Sequence, residues 1–199
     1  MHMKIIGVSI VMCLATVLFT GCASLPPAAE RVPTVAIDNA SGTTLGRAIE
    51  PLVNEHTGLS GFYALKEGIE AYAARLLLVQ TADKSLDLQY YIWKDDLTGK
   101  TLLTQVLAAA DRGVRVRLFN PFANRRNRLL DFVTDSSRVN RRMHNKSMTA
   151  DNQATIFGGR NIGDEYFDAP EAVGFSDMDV LAVGLVVAEV SHEFDLYWN

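Results

Sequence analysis

Apolar positions along the chain fall into three regimes. From Ile5 to Phe19 they run almost unbroken, and Lys4 is the only charge before Glu30. From Ala23 to about Ser60, Pro26, Pro27, Pro33, Gly42, Pro51 and Gly58 interrupt any period, which predicts a poorly ordered tether over residues 22–60. From Phe62 the pattern becomes periodic. Leu65, Ile69, Tyr72, Leu76 and Val79 recur at spacings of four and three, one stripe of an amphipathic helix that Gly68 weakens without ending. Leu86, Leu88, Tyr90 and Ile92 alternate with Asp87, Gln89, Tyr91 and Trp93, the period of a strand.

A turn is expected at Asp95, Asp96 and Gly99. Leu102, Leu103, Val106, Leu107 and Ala110 then form a second helical stripe, closed by Gly113 just past its C-terminus. Val114 to Asn120 reads as a strand stopped by Pro121. Strand, helix and strand in that order predict a βαβ unit with parallel strands, hence an α/β fold. A short helix is expected around Arg128 to Val133. Met143 to Thr149 and Ala154 to Phe157 read as two strands joined at Asp151-Asn152, and a short helix is expected to start near Asn161. Asp179 to Val183 reads as a buried strand, and a final helix carries the stripe Val186, Val187, Val190, Phe194 and Trp198. Residues 61–199 are therefore the folded body.

Composition refines this picture in two places. Of the 199 residues 48% are hydrophobic and 21% charged, the balance of a chain that buries a core, and Cys13 and Cys22 alone supply no disulfide framework. The net charge of −4 argues against an ordinary basic nucleic-acid protein but conceals a strong asymmetry. Arg112 to Lys146 carries nine arginines and one lysine against Asp131 and Asp135, whereas Ser147 to Asn199 carries ten carboxylates against Arg160. Arg125, Arg126, Arg128, Arg138, Arg141 and Arg142 can hold anionic head groups or a nucleic-acid backbone, or form structural ion pairs.

The apolar run Ile5 to Phe19 has the length of a signal-peptide core and is short for a membrane span. With Leu18-Phe19-Thr20-Gly21-Cys22-Ala23-Ser24 it resembles a bacterial lipoprotein signal over residues 1–21. That resemblance implies acylation of Cys22 and a membrane-anchored body in the cell envelope. Ala23 after the cysteine favours the outer membrane.

The chemistry-bearing stretch is Arg142-Met143-His144-Asn145-Lys146-Ser147-Met148-Thr149-Ala150-Asp151, followed by Gly158-Gly159-Arg160-Asn161. Two residues apart on a strand, His144 and Lys146 face the same way. A neutral imidazole beside a fixed positive charge can attack a phosphodiester while its anionic oxygens are held. Asn161, reached through a glycine pair that permits close backbone approach, can add a hydrogen-bond donor. Asp151 falls where a turn is expected and most economically braces it.

His-x-Lys, four residues, Asp, six residues, Gly-Gly-x-Asn resembles the HKD signature of the phospholipase D superfamily. Leu88-Gln89-Tyr90-Tyr91-Ile92-Trp93, Asp111-Arg112-Gly113-Val114-Arg115-Val116, Leu118-Phe119-Asn120-Pro121-Phe122 and Gly158-Gly159-Arg160-Asn161-Ile162-Gly163-Asp164-Glu165-Tyr166-Phe167 are similar to the N-terminal half of bacterial cardiolipin synthases of the C type. The resemblance implies a mixed sheet flanked by helices, one half of a two-repeat fold, and no metal or cofactor. His144 would form a phosphohistidine, Lys146 and Asn161 would bind phosphate with Gly158, Gly159 and Arg142 beside them, and Asp177 would accept the proton-bearing nitrogen of the histidine. Asp179 can do the same work on the same face.

The implied activity is transfer or hydrolysis of phosphatidyl phosphodiesters of the phosphatidylglycerol or phosphatidylethanolamine type. Two departures qualify it. Relatives carry a second HKD motif, and here His2, His56 and His192 lack a lysine two residues later. His56 falls in the tether and His192 reads as a solvated helix residue. Arg117 also runs directly into Leu118, where relatives have a helix and a strand between the two segments. The alternatives are a single-motif homodimeric phosphodiesterase of the nuclease kind, with nucleic acid a less favoured substrate, or an inactive phosphate-binding half. A complementary second-motif half would be the partner in the leading case.

Overall fold

The computed structural model describes residues 32–38, 40–119, 144–169 and 177–199. In chain order the elements are α1 (Thr44–Glu55), β1 (Ser60–Leu65), α2 (Gly68–Thr81), β2 (Ser85–Gln89), α3 (Leu97–Asp111), β3 (Arg115–Phe119), β4 (Ser147–Ala150), β5 (Ala154–Gly158), a 3-10 turn (Asp164–Tyr166), β6 (Asp179–Gly184) and α4 (Leu185–Trp198). The strands form one mixed sheet in the order β1-β6-β5-β4-β2-β3, in which only β2 and β3 run parallel.

One sheet face is apolar and one is polar, and both are covered. Leu86, Leu88, Met148, Ala150 and Ile156 pack against Ala71, Leu78 and Val79 of α2 and Leu102, Val106 and Ala109 of α3. On the other face, beneath α4, Arg117 makes a two-pronged pair with Asp87 at 2.6 and 2.7 Å, and its guanidinium lies 4.8 Å from the Phe194 ring centre. Thr149 and Thr155 bond each other at 2.9 Å, and Ser191 of α4 donates to Asn152 at 2.8 Å. The buried Arg117 and Asp87 thus meet as opposite charges, the condition under which burial is tolerated.

The βαβ unit forms as expected. Asp96 caps α3 by accepting from the Gly99 N–H at 3.0 Å, and Gly113, with φ of +93°, ends it. β3 pairs in register with β2 from Arg115 opposite Ser85 to Phe119 opposite Gln89. The junction between Arg117 and Leu118 thus lies inside one continuous strand. Arg117 serves the polar face and Leu118 the core, so the strand passes this junction without a break in the ladder.

Three expectations are corrected. Phe62 to Leu65 belongs to strand β1 rather than to a helix, and Gly68 is the first residue of α2 instead of an interior weak point. Its N–H is capped at 2.8 Å by the carboxylate of Asp168, and a side chain at Gly68 would collide with Asp168 and Phe167. The buried stripe of α2 is Ala71, Arg75, Leu78 and Val79, while Ile69 is exposed. Finally, the stretch expected as tether holds α1, whose cap is Thr43: its hydroxyl accepts from the Gly46 N–H at 3.0 Å and donates to the Ala40 carbonyl at 2.7 Å. The helix around Arg128 to Val133, the signal-like segment with Cys22, and Arg142 lie outside the described residues. Among the described residues no helix is long and apolar enough to cross a membrane.

Candidate active site

His144 and Lys146 lie just before β4, at the end of the sheet where β2 also terminates. His144 is exposed and Lys146 buried. The Lys146 ammonium donates to the carbonyl of His144 at 2.6 Å and stands 3.2 Å from its Nδ1 and 3.4 Å from its Nε2. The expected strand from Met143 begins only at Ser147, so His144 and Lys146 precede it, and the two side chains meet by direct contact. Burial pushes the Lys146 ammonium below the ordinary lysine range, while the charges of Asp177 and Asp179 pull it back up. Tyr91, just beyond β2, completes the cluster. Its ring centre is 5.1 Å from that of His144 and 5.7 Å from Lys146 Nζ.

Gly158 and Gly159 end β5 against the same residues. The Gly158 N–H donates to the Lys146 carbonyl at 3.3 Å, and that of Gly159 to the Met178 carbonyl at 3.2 Å. A Cβ at Gly158 would strike the carboxylate of Asp179, and one at Gly159 that of Asp177. The close approach this glycine pair permits is made by two carboxylates of the same chain. Asp177 thereby sits within electrostatic reach of Lys146. Among the described residues no hydrogen bond joins Asp177 to His144.

Asp179 is engaged elsewhere. It is fully buried, pairs with Arg75 at 2.8 Å, and accepts from the Arg160 N–H at 3.2 Å. Arg75 also donates to Tyr90 Oη at 3.0 Å, and the Arg160 side chain donates to the carbonyls of Leu65, Lys66 and Tyr166. The alternative of Asp179 as partner of the histidine is thus corrected: both its oxygens are committed to the core. Arg75, Tyr90 and Arg160 escaped the sequence reading, because each looked like an ordinary surface or packing residue.

Asp151, grouped with the catalytic set by the motif, stands at the opposite end of β4, roughly 16 Å of extended chain from Lys146. Its buried carboxylate accepts from the N–H groups of Asp83, Lys84 and Ser85 at 2.7 to 2.9 Å. It braces the entry to β2, the economical role expected of it, and takes no place among the reacting groups. Asn161 is also held. Its Oδ1 accepts from the Ile92 N–H at 2.9 Å and its Nδ2 donates to Tyr166 Oη at 3.1 Å.

A cavity of about 380 Å³ opens beside Lys146 and Ser147, with Phe157, Gly158, Glu189 and Glu193 also in its lining. Basic, acidic and apolar groups together suit it to a substrate with an anionic centre and a hydroxyl or ammonium group nearby. Among the described residues no cluster of His, Cys, Asp and Glu is arranged to hold a metal ion.

This geometry can be set beside known proteins. Residues 76–198 match the family described as "Cardiolipin synthase, PLD-like domain". Cardiolipin synthase C of Escherichia coli K12 is 45% identical over 181 aligned positions, which take up 77% of this chain and 38% of that protein. Those positions exceed the residues that this share of the chain supplies, so it lacks residues that the relative has inside the matched region. The chain spans well under half the length of the curated relatives it matches. Among solved structures, NucT from Helicobacter pylori superposes with a TM-score of 0.51 at 12% identity, over 70% of this chain and 94% of that one. The phosphatidylserine synthase of Haemophilus influenzae Rd KW20 gives 0.50 at 14% identity, over 75% and 39%. With its mixed sheet, its His-x-Lys pair at the sheet end and a family match over more than half its length, this chain belongs to the cardiolipin synthase PLD-like domain family.

Proposed function

We propose that this chain is the His144-bearing half of a phosphatidyltransferase of the cardiolipin synthase kind. The observation that carries the reading is an exposed imidazole 3.2 Å from a buried ammonium that lines a cavity, in a member of that family. The substrates would be phosphodiester lipids of the phosphatidylglycerol or phosphatidylethanolamine type, and the lipoprotein-like start would hold the body at a membrane.

In the proposed reaction, a ring nitrogen of His144 forms a bond to phosphorus as the bond to the head-group alcohol breaks. Lys146 holds the anionic oxygens as charge builds on them. A second lipid alcohol then attacks phosphorus, gives up its proton and releases His144; water in its place gives hydrolysis. Before substrate arrives the Lys146 donors point at its own histidine. An entering phosphate competes for them and frees the ring. The departing alkoxide needs a proton, and with one His-x-Lys in the chain that proton must come from a second motif. A complementary half or a second copy of this chain would bring it.

The test is chemical trapping. Phospholipid labelled at phosphorus, mixed with the full chain and quenched in alkali, is expected to leave label on the protein that is stable to base and released by acid, the signature of a phosphoramidate. Absence of such label, with the chain alone and with a complementary half supplied, would sink the proposal.

Lys146 also sets an expected pH dependence. Phosphate binding needs its charged form, and its pKa lies below the ordinary 10.5, so kcat/KM should fall on an alkaline limb centred below that value. Lys146→Arg stays charged and should abolish the limb while lowering kcat, because a forked guanidinium does not reproduce a point charge. An unchanged alkaline limb in Lys146→Arg would assign it to another group.

A further inference from the structure

We infer that Tyr91 is a positioning residue for the His144–Lys146 pair, and that Asn161 helps to place Tyr91 by latching the segment after β2. The inference rests on the proposed role of His144, but its test does not.

His144 lies outside the strand ladder and is exposed, so neither core packing nor sheet register restrains its side chain. The aromatic face beside it is Tyr91, tilted 52° with ring centres 5.1 Å apart. The same Tyr91 ring lies 5.7 Å from Lys146 Nζ, where its negative face favours the ammonium that burial disfavours. One ring therefore touches both members of the pair.

Tyr91 is in turn placed by its neighbours. Tyr90 is buried with its hydroxyl on Arg75 and its N–H on the Phe119 carbonyl at 3.2 Å, which anchors the chain as it leaves β2. Beyond Tyr91 the backbone is stitched to the segment that carries Asn161. The Ile162 N–H donates to the Ile92 carbonyl at 3.1 Å, the Lys94 N–H donates to the Ile162 carbonyl at 2.9 Å, and Asn161 Oδ1 takes the Ile92 N–H.

A peptide N–H can only donate, so the oxygen end of the Asn161 amide must face Ile92 and the nitrogen end Tyr166 Oη. Asn161 is buried with its oxygen on the peptide next to Tyr91. Its oxygen and one of its two amide N–H bonds are thus spent on the placement of this segment, and through that segment Asn161 fixes where the Tyr91 ring stands.

The readout is the imidazole itself. The full chain has four histidines, and the Hε1 resonance of His144 is identified by its loss in His144→Gln. Tyr91→Leu is expected to shift that resonance by removing the ring current beside it and to lower kcat about 10- to 100-fold with little change in KM, the pattern of lost orientation. Tyr91→Phe, which keeps the ring, should restore both. Asn161→Ala should shift the same resonance from a distance, and in Tyr91→Leu the further change Asn161→Ala should move it little. If Asn161→Ala does not fold, Tyr166→Phe removes the acceptor of its Nδ2 and should shift the resonance in the same direction.

A His144 resonance unmoved in Tyr91→Leu, or moved as far by Asn161→Ala in the Tyr91→Leu background as in the native chain, would overturn the inference. The resonance is read without substrate. A shifted signal in a protein that turns over no phosphodiester would therefore refute the proposed function and leave the positioning role standing.

Discussion

His144→Ala is expected to lower turnover of a phosphodiester at least about 10³-fold while leaving the fold intact. The reasoning separates chemistry from stability. His144 is exposed, and the Lys146 ammonium is tied to its backbone carbonyl, which alanine retains. Unfolding in urea should therefore shift by no more than about 0.5 kcal/mol, the ordinary range for a surface change. Its chemical role has no substitute, because neither Lys146 nor Tyr91 offers a neutral nitrogen lone pair. The assay should use a diester with a p-nitrophenolate leaving group, which departs without a proton. In the proposed mechanism the general acid, worth typically 10² to 10⁴-fold, comes from a second motif, so the rate of this chain on a lipid is expected to be low before any mutation. On the activated diester that handicap disappears and the loss in His144→Ala becomes measurable. A variant that kept its rate there would place the nucleophile elsewhere.

How much of this was legible in the sequence depends on the range of the interactions. The β2–α3–β3 unit, the β4–β5 hairpin, β6 and α4 could be read because period and turn chemistry are local. Asp151 and Asn152 both adopt φ of 51°, the left-handed conformation these residue types accept, where the turn was expected. α1 was missed because Pro51 inside a helix reads as a breaker. β1 was missed because Leu65 happens to fall in phase with the helical stripe that follows. The start of α2 depends on Asp168, whose carboxylate reaches Gly68 from a hundred residues away.

The site divides in the same way. His144 and Lys146 could be paired from their spacing, although both stand just before β4, and Gly158-Gly159 from the need for close approach. What approaches the glycines could not be read, nor that Asp179 serves Arg75 while Asp177 lies near Lys146. Two aspartates at i and i+2 look equivalent in a sequence. They differ because the sheet directs one into the core, where an arginine from α2 is waiting.

The same distinction gives the largest expected effect on stability, at Asp151. Asp151→Ala should destabilise the fold by about 3 to 5 kcal/mol, because three backbone N–H groups lose their acceptor at once and an unpaired buried donor costs about 1 to 3 kcal/mol. Alanine also tolerates the positive φ at this position less well. Asp151→Asn should lose less. Its amide oxygen can replace the carboxylate oxygen that serves Lys84 and Ser85, leaving only the Asp83 N–H facing another donor. The order Asp > Asn > Ala in urea midpoint, with an unchanged slope, is the expected result. Because Asp151 stands at the far end of β4 from Lys146, the asparagine variant should retain most of its kcat on the activated diester at temperatures where it remains folded. A kcat for Asp151→Asn reduced as severely as that of His144→Ala, in a protein that still unfolds cooperatively, would return this aspartate to the reacting groups.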